Sequence, residues 1–450
     1  MTVYAVKLKD LCKKEVSPAL DTAVISLIIF AFCIVLFVWD RLPVATSAIL
    51  GCALMVLFGA CDFATAFGQM ASGTVIMLIG VMITGAAVSE CGLAARIGGI
   101  VARYGGKGER TFIAVSFVIA FLLSTFLTNV SVLAIFIPIV LAVSRSESGI
   151  SPLNAVIPLV LAVNMGGIST LIGSSQQMTA QGLLVEYGYR GFTVFEFLPF
   201  GLILGAAALL YCLFVGYPLG KRIWGNRVET VDDAVNRREN VPLDKKKAVT
   251  VAIIFGVSVV LYVFQGVPFT NIGIPAHFTA VLSALACIVT GCIGQKQAIA
   301  SVNWNIVGRL GGCLGLAKAL SAAGGIGLLS KGIMKLLGDG VSPFLFFALI
   351  VLTAQIISLF ISNSTAISVT LLVVMAVAPS LSLNVPAYAM GIVLAASMGA
   401  SCPLSGSTWG MSMSVGYRFR DYFKYGALID LLAYLIILVT VPCFMGLRGM

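Results

Sequence analysis

Ser124-Thr125-Phe126-Leu127-Thr128-Asn129-Val130-Ser131 (residues 124–131) and Ser358-Leu359-Phe360-Ile361-Ser362-Asn363-Ser364-Thr365 (358–365) are the two stretches whose reading decides the fold. The first interrupts an apolar region from Thr111 to Val143 and the second an apolar region from Pro343 to Ala378. Two complete membrane helices joined so tightly would need a water-exposed turn at the polar junction. A re-entrant hairpin, entering and leaving on one side with its polar tip inside the membrane, also fits. We read hairpins, because the two breaks occupy matching places in an internal repeat.

The repeat can be followed outward from the tips. Ser124 precedes Asn129 by the same interval as Ser358 precedes Asn363, and Met165-Gly166 stands before Gly173-Ser174 as Met398-Gly399 stands before Gly406-Ser407. Gly188-Tyr189-Arg190 and Gly416-Tyr417-Arg418 follow, each leading to a further glycine, Gly201 or Gly426. Long apolar runs flank these marks at 24–38, 44–61, 74–89, 154–172 and 197–217, and again at 248–264, 274–292, 306–320, 385–400 and 428–447. The expected organisation is an N-terminal segment 1–23, a first repeat 24–217 with hairpin 111–143, a linker 218–247, and a second repeat 248–450 with hairpin 343–378. Five crossings per half is an odd number, so the halves face opposite ways. The fold expected is an all-α polytopic membrane protein, an inverted repeat of five transmembrane helices plus one re-entrant hairpin each.

Composition agrees and removes other classes. Of 450 residues, 59% are hydrophobic and 10% charged, with mean hydropathy +1.06, which excludes an ordinary soluble enzyme. The net charge of +10 reports topology and not a nucleic-acid partner. Eight of the 28 basic residues lie in Lys221 to Lys247, which favours a cytoplasmic linker, although Lys7, Lys9, Lys13 and Lys14 then lie outside. The 11 cysteines form no C-x-x-C and have only His277 for company, so neither a metal centre nor a disulfide framework follows. Catalytic signatures such as H-E-x-x-H and G-x-S-x-G are missing, and no cofactor is expected. A retained, multi-pass protein of the cell membrane, working on a small solute within the lipid bilayer, is the reading that remains.

At each tip a half-helix begins anew, at Asn129 and at Asn363, and its unpaired N–H groups would attract an anion. The half-helices entering the tips end near Leu127 and Ile361. Their carbonyls, with the Asn side-chain oxygens and the Ser124 and Ser358 hydroxyls, suit a hard cation. The stretches Asn164 to Thr170 and Ser397 to Pro403 would unwind their helices and add carbonyls and hydroxyls to the same places. Neither tip carries an Asp, Glu or His, so sodium is expected as the coupling ion in preference to a proton. Glu90 and Arg309 lie near predicted helix ends and are read as reaching for the interface. Lys318 falls on the opposite helix face from Arg309, so the two do not form one anion clamp.

These tips, the Gly-Gly-x-Ser-Thr-Leu-Ile-Gly stretch at 166–173 and the closing Gly-Tyr-Arg-Phe-Arg-Asp-Tyr-Phe-Lys-Tyr-Gly at 416–426 resemble the divalent anion:sodium symporters of the ion transporter superfamily. The resemblance implies a homodimer that carries a di- or tricarboxylate by an elevator motion. It places sodium at Ser124, Asn129 and Gly167 and at Ser358, Asn363 and Gly399, and substrate at Asn129, Asn363 and Ser364, with Thr128, Ser131, Thr170, Ser174 and Thr365 completing the substrate shell. The chain departs from the family pattern at the first tip, where Val130 stands in place of a threonine, and at 174–177 and 407–410. A sodium/proton or anion exchanger on the same scaffold is the alternative, and a membrane enzyme or channel the more distant one.

Overall fold

The computed structural model describes residues 22–39, 42–91, 108–145, 150–224, 245–263, 275–337 and 342–447. Most of the N-terminal segment 1–23 and of the linker 218–247 lies outside the described residues. Within the described residues the chain is helical apart from one isolated bridge residue and the connecting turns.

In chain order the first half runs α1 (Thr22–Trp39), α2 (Val44–Leu57), α3 (Phe63–Phe67), α4 (Gly73–Glu90), α5 (Glu109–Ser124), α6 (Asn129–Arg145), α7 (Pro152–Gly167), α8 (Ser175–Glu186), α9 (Leu198–Leu210) and α10 (Tyr217–Trp224). A six-residue π-helical stretch, Tyr211–Gly216, joins α9 to α10 without a break. The second half runs α11 (Lys245–Val263), α12 (Ala276–Val289), α13 (Gln295–Ser301), α14 (Trp304–Ala322), α15 (Gly325–Leu337), α16 (Pro343–Ser358), α17 (Asn363–Leu381), α18 (Val385–Ala396), α19 (Ser407–Ser412) and α20 (Phe419–Met445). Every apolar run read from the sequence carries a helix within its described residues. The short α8, α13, α15 and α19 were not anticipated, because none has a long hydrophobic run of its own.

Four stretches are long and apolar enough to cross a bilayer by length and composition, namely Phe63–Val88, Leu198–Trp224, Asn363–Leu381 and Phe419–Met445. Seven shorter apolar helices accompany them. Together they make this a multi-pass membrane protein.

Two helices form the centre. Every residue of α7 is buried, and so is all of α18 except Pro386. Both are apolar on nearly every face, with Asn154 and Asn164 as the polar side chains of α7, which a helix tolerates only when neighbours cover it all round. Helices α5, α6 and α9 pack on α7, and α16, α17 and α20 pack on α18. A second group gathers around α14, which packs on α1, α2 and α3, while α4 pairs with α12. The groups meet where α8 and α17 touch α14.

Neither central helix continues through the protein. α7 stops at Gly167 and the next helix, α8, begins only at Ser175, and α18 stops at Ala396 with α19 beginning at Ser407. The intervening loops lie beside the two tips, where α5 gives way to α6 across residues 125–128 and α16 to α17 across 359–362.

Candidate functional site

At the first tip, α5 ends in a tightened turn, with the Phe126 and Leu127 amides both donating to the Leu123 carbonyl at 3.2 and 2.9 Å. The chain then restarts as α6, so the amides of its first turn have no partner within the helix. Asn129 stands at that start. Its Oδ1 accepts from the Ser124 hydroxyl at 2.9 Å, and its Nδ2 donates to Asn164 Oδ1 at 3.3 Å. The same Asn164 oxygen accepts from Thr408 Oγ1 at 3.0 Å, tying the first half to a residue 244 positions later. Gly167 is obligatory here, since a Cβ would lie 2.1 Å from Asn129 Oδ1. The Gly167 carbonyl accepts from Gln177 Nε2 at 2.8 Å.

The second tip is built on the same plan with different wiring. The Ser358 hydroxyl turns back to the Gln355 carbonyl of its own helix at 2.8 Å. Asn363 Oδ1 is consequently buried without a hydrogen-bond partner, as is Thr365 Oγ1. Arg309, on α14, reaches across and donates from Nη1 to Ser362 Oγ at 2.6 Å. The loop after α18 supplies the Gly399 carbonyl, which accepts from Ser405 Oγ at 2.5 Å. Beneath that loop the buried Asp430 of α20 accepts from the Ala400 amide at 2.9 Å, from the Ser401 amide at 2.8 Å, and from the Ser401 hydroxyl.

Asn129 and Asn363 line one cavity of about 120 Å³, together with Thr128, Asn164, Ser174, Gln176 and Thr408. A larger space of about 440 Å³ adjoins it, sharing Asn363, Gly406 and Ser407 and adding Arg309, Ser362, Ser364 and Ser405. Small-molecule sites span about 300–1,000 Å³. Arg309 is the one charged side chain among the described lining residues, so the cavity carries positive charge and many hydroxyl and amide groups.

The expected site residues sort by place. Thr128, Asn129, Ser174, Asn363 and Ser364 line the cavity. Ser124 and Ser358 are fully buried beneath the tips. Three expected substrate contacts do not line it. Thr170 donates to the Thr125 carbonyl at 2.6 Å and locks the turn from behind, Ser131 shares a 2.8 Å hydrogen bond with Thr128, and Thr365 is 1% exposed. The reading of Arg309 as an interfacial residue is overturned, because a helix end in hydropathy is here a cavity wall. Lys318 pairs instead with Glu186 on α8 at 3.0 Å, and Glu90 is exposed. Gln177 and Asp430 were not foreseen. An isolated acid within the apolar run 428–447 was the signal available for Asp430.

An alkali cation asks for oxygen ligands from carbonyls, hydroxyls and amides. The Asn363 Oδ1 atom is a buried acceptor of that kind, and the Gly399 carbonyl lies in the loop packed against the same tip, with Leu359 within 3.4 Å of a Cβ built on Gly399. Soft or high-charge metals find no cluster of three or more His, Cys, Asp or Glu side chains among the described residues.

Comparison with known proteins agrees with this architecture. The profile of the citrate transporter family matches residues 34–397 and, in a second overlapping match, 269–448. An uncharacterized transporter of Synechocystis sp. is 28% identical over 187 residues, a stretch that is 42% of this chain and only 30% of that protein. One from Methanocaldococcus jannaschii is 23% identical over 334 residues, covering 73% of this chain and 72% of its own. Among solved structures, the YdaH transporter of Alcanivorax borkumensis superposes with a TM-score of 0.63 over 94% of this chain and 98% of its own. At 14% identity that likeness shows the fold alone.

Proposed function

Since this chain belongs to the citrate transporter family, we propose that it is a sodium-coupled symporter of a di- or tricarboxylate. The observation that carries the reading is that Asn129 and Asn363 line one cavity and that the adjoining space, which shares Asn363 with it, bears the Arg309 guanidinium on its wall. Substrate carboxylates are held by Arg309 and by the free amides at the starts of α6 and α17, which supply positive charge without a titratable proton.

Sodium supplies what the apo tip lacks. Bound at the second tip it satisfies Asn363 Oδ1, orders the start of α17 and places a positive charge next to the anion. A polyanion and a cation then enter together at lower desolvation cost than either alone. The symmetric placement of the tips supports an inverted repeat, and the division into a group around α7 and α18 and a group around α14 supports an elevator motion of the first against the second. A homodimer with the linker 218–247 in the cytoplasm completes the proposal.

Proteoliposomes provide the test. Citrate, succinate and malate uptake is measured with an imposed sodium gradient, and separately with a proton gradient alone, at fixed membrane potential and over a pH range where the substrate charge is constant. Accumulation driven by sodium and by no other gradient is expected. Equal accumulation under a proton gradient in sodium-free buffer would overturn sodium symport in favour of the exchanger.

A further inference from the structure

The two broken helices are anchored differently, and the difference falls on one peptide unit. Gly426 on α20 lets the loop after α18 approach its backbone, since a Cβ there would lie 2.2 Å from the Ala400 carbonyl oxygen. One helical turn later Asp430 receives both the Ala400 and the Ser401 amides and the Ser401 hydroxyl. In the first half Gly201 makes the corresponding approach, to Ser169, but the residue one turn later is Gly205, packed against the Phe121 ring. The carboxylate has no counterpart there.

The Ala400 N–H belongs to the same planar unit as the Gly399 C=O, and in a trans peptide the two point in opposite directions. Fixing the amide on Asp430 therefore aims the Gly399 carbonyl away from α20, toward Ser405, in a loop packed against Leu359 of the second tip. A hydrogen bond donated to a carboxylate also polarises the peptide, making its carbonyl a stronger ligand. At the first tip the amide of the matching peptide unit, Ile168 N–H, donates to the neutral Asn164 carbonyl at 3.0 Å, so the Gly167 carbonyl lacks a polarising carboxylate behind it, while each carbonyl accepts one side-chain bond, from Gln177 Nε2 at 2.8 Å and from Ser405 Oγ at 2.5 Å.

We propose that Asp430 is the positioning residue of the second cation site: held by the Ala400 and Ser401 amides, it aims and polarises the Gly399 carbonyl toward sodium. It does not touch the ion or the substrate. The inference rests on the sodium-symport reading above.

Sodium binding is read directly, as the sodium concentration giving half-maximal thermal stabilisation of the purified full-length protein, alongside uptake in proteoliposomes. For Asp430→Asn, which keeps size and one acceptor but loses the charge, half-saturating sodium should rise about tenfold. Maximal uptake and the citrate KM at saturating sodium should stay near wild type, a split that a general loss of structure would not produce. Asp430→Glu should restore part of the affinity. If Asp430→Asn does not fold, Ser401→Ala removes one of the three hydrogen bonds and should raise half-saturating sodium about threefold. Wild-type sodium affinity in whichever of these variants folds overturns the role of Asp430 and leaves sodium symport standing. A wild-type protein that sodium does not stabilise at any concentration overturns both.

Discussion

The first hairpin tip is closed upon itself and the second is open. Asn129 has both ends of its amide engaged, by Ser124 and by Asn164, and Asn164 is in turn held by Thr408. Asn363 has its oxygen buried and free, because Ser358 spends its hydroxyl on Gln355. A buried acceptor left unsatisfied costs about 1–3 kcal/mol, and a ligand that supplies the missing partner recovers it. Identical residues at matching places thus perform unlike tasks. The first tip is a finished piece of structure around which a ligand is shaped, while the second gains more from binding, and it is the second that Arg309 faces.

The largest effect on substrate recognition should come from the feature the first tip lacks altogether. Arg309→Gln removes the only charged wall of the cavity, and uptake measured as kcat/KM for citrate is expected to fall roughly 100-fold, in line with the loss of a buried charge-assisted contact. Arg309→Lys should recover only part, since an ammonium lacks the guanidinium fork. A wild-type citrate KM in Arg309→Gln would show that the second tip reads its substrate without the cation.

Smaller as a stability difference but more discriminating is the pair of asparagines. Asn129→Ala and Asn363→Ala should both abolish coupled uptake at ordinary sodium concentrations while leaving a folded protein. They should part in stability. Asn129→Ala strands the Ser124 hydroxyl and one acceptor position of Asn164, and should lower stability by about 1–3 kcal/mol, seen as a reduced Tm in detergent. Asn363→Ala removes an atom that has no partner to strand, so its Tm should stay close to wild type without sodium. Equal Tm losses would erase the distinction between closed and open tips.

The smallest difference lies one turn below. Ser124→Ala deletes the hydroxyl that holds Asn129 and should cost about 1 kcal/mol. Ser358→Ala deletes only a bond back to its own helix, one that competes with regular helix geometry, and should be within about 0.5 kcal/mol of neutral. Differential scanning of the two variants side by side measures the contrast.

Much of this was legible in the amino-acid order. The breaks at 125–128 and 359–362 coincide with the polar knots in two apolar regions, and the unwinding after Gly167 and Ala396 follows the small-residue stretches. Hydropathy and local chemistry suffice for such features because they are decided within a dozen residues. Arg309 and Asp430 obey another logic. Arg309 finds its partner 53 residues away and Asp430 about 30 away, so their surroundings are set by which helices pack together. A lone cation near a helix end looks interfacial until a second helix is laid across it. Thr170 and Thr365 erred the other way, since a hydroxyl of the right type in the right stretch can still point behind the turn.

The bonds that stitch the halves together also govern when the site can exist. Thr408 reaches Asn164, and Tyr417 donates to the Leu153 carbonyl at 2.6 Å while accepting from the Ile157 amide at 3.2 Å, spanning 244, 264 and 260 residues. The N-terminal half leaves the ribosome with α7 and the helices α5, α6 and α9 that pack on it already written, but without the distant residues that bond Leu153, Ile157 and Asn164. The Asn164 oxygen that holds Asn129, and the backbone of Leu153 and Ile157, must then wait for Thr408 and Tyr417 to arrive. Completion of the site therefore waits on Thr408 and Tyr417, and a chain cut short before Thr408 inserts helices without ever closing the bonds that join the halves.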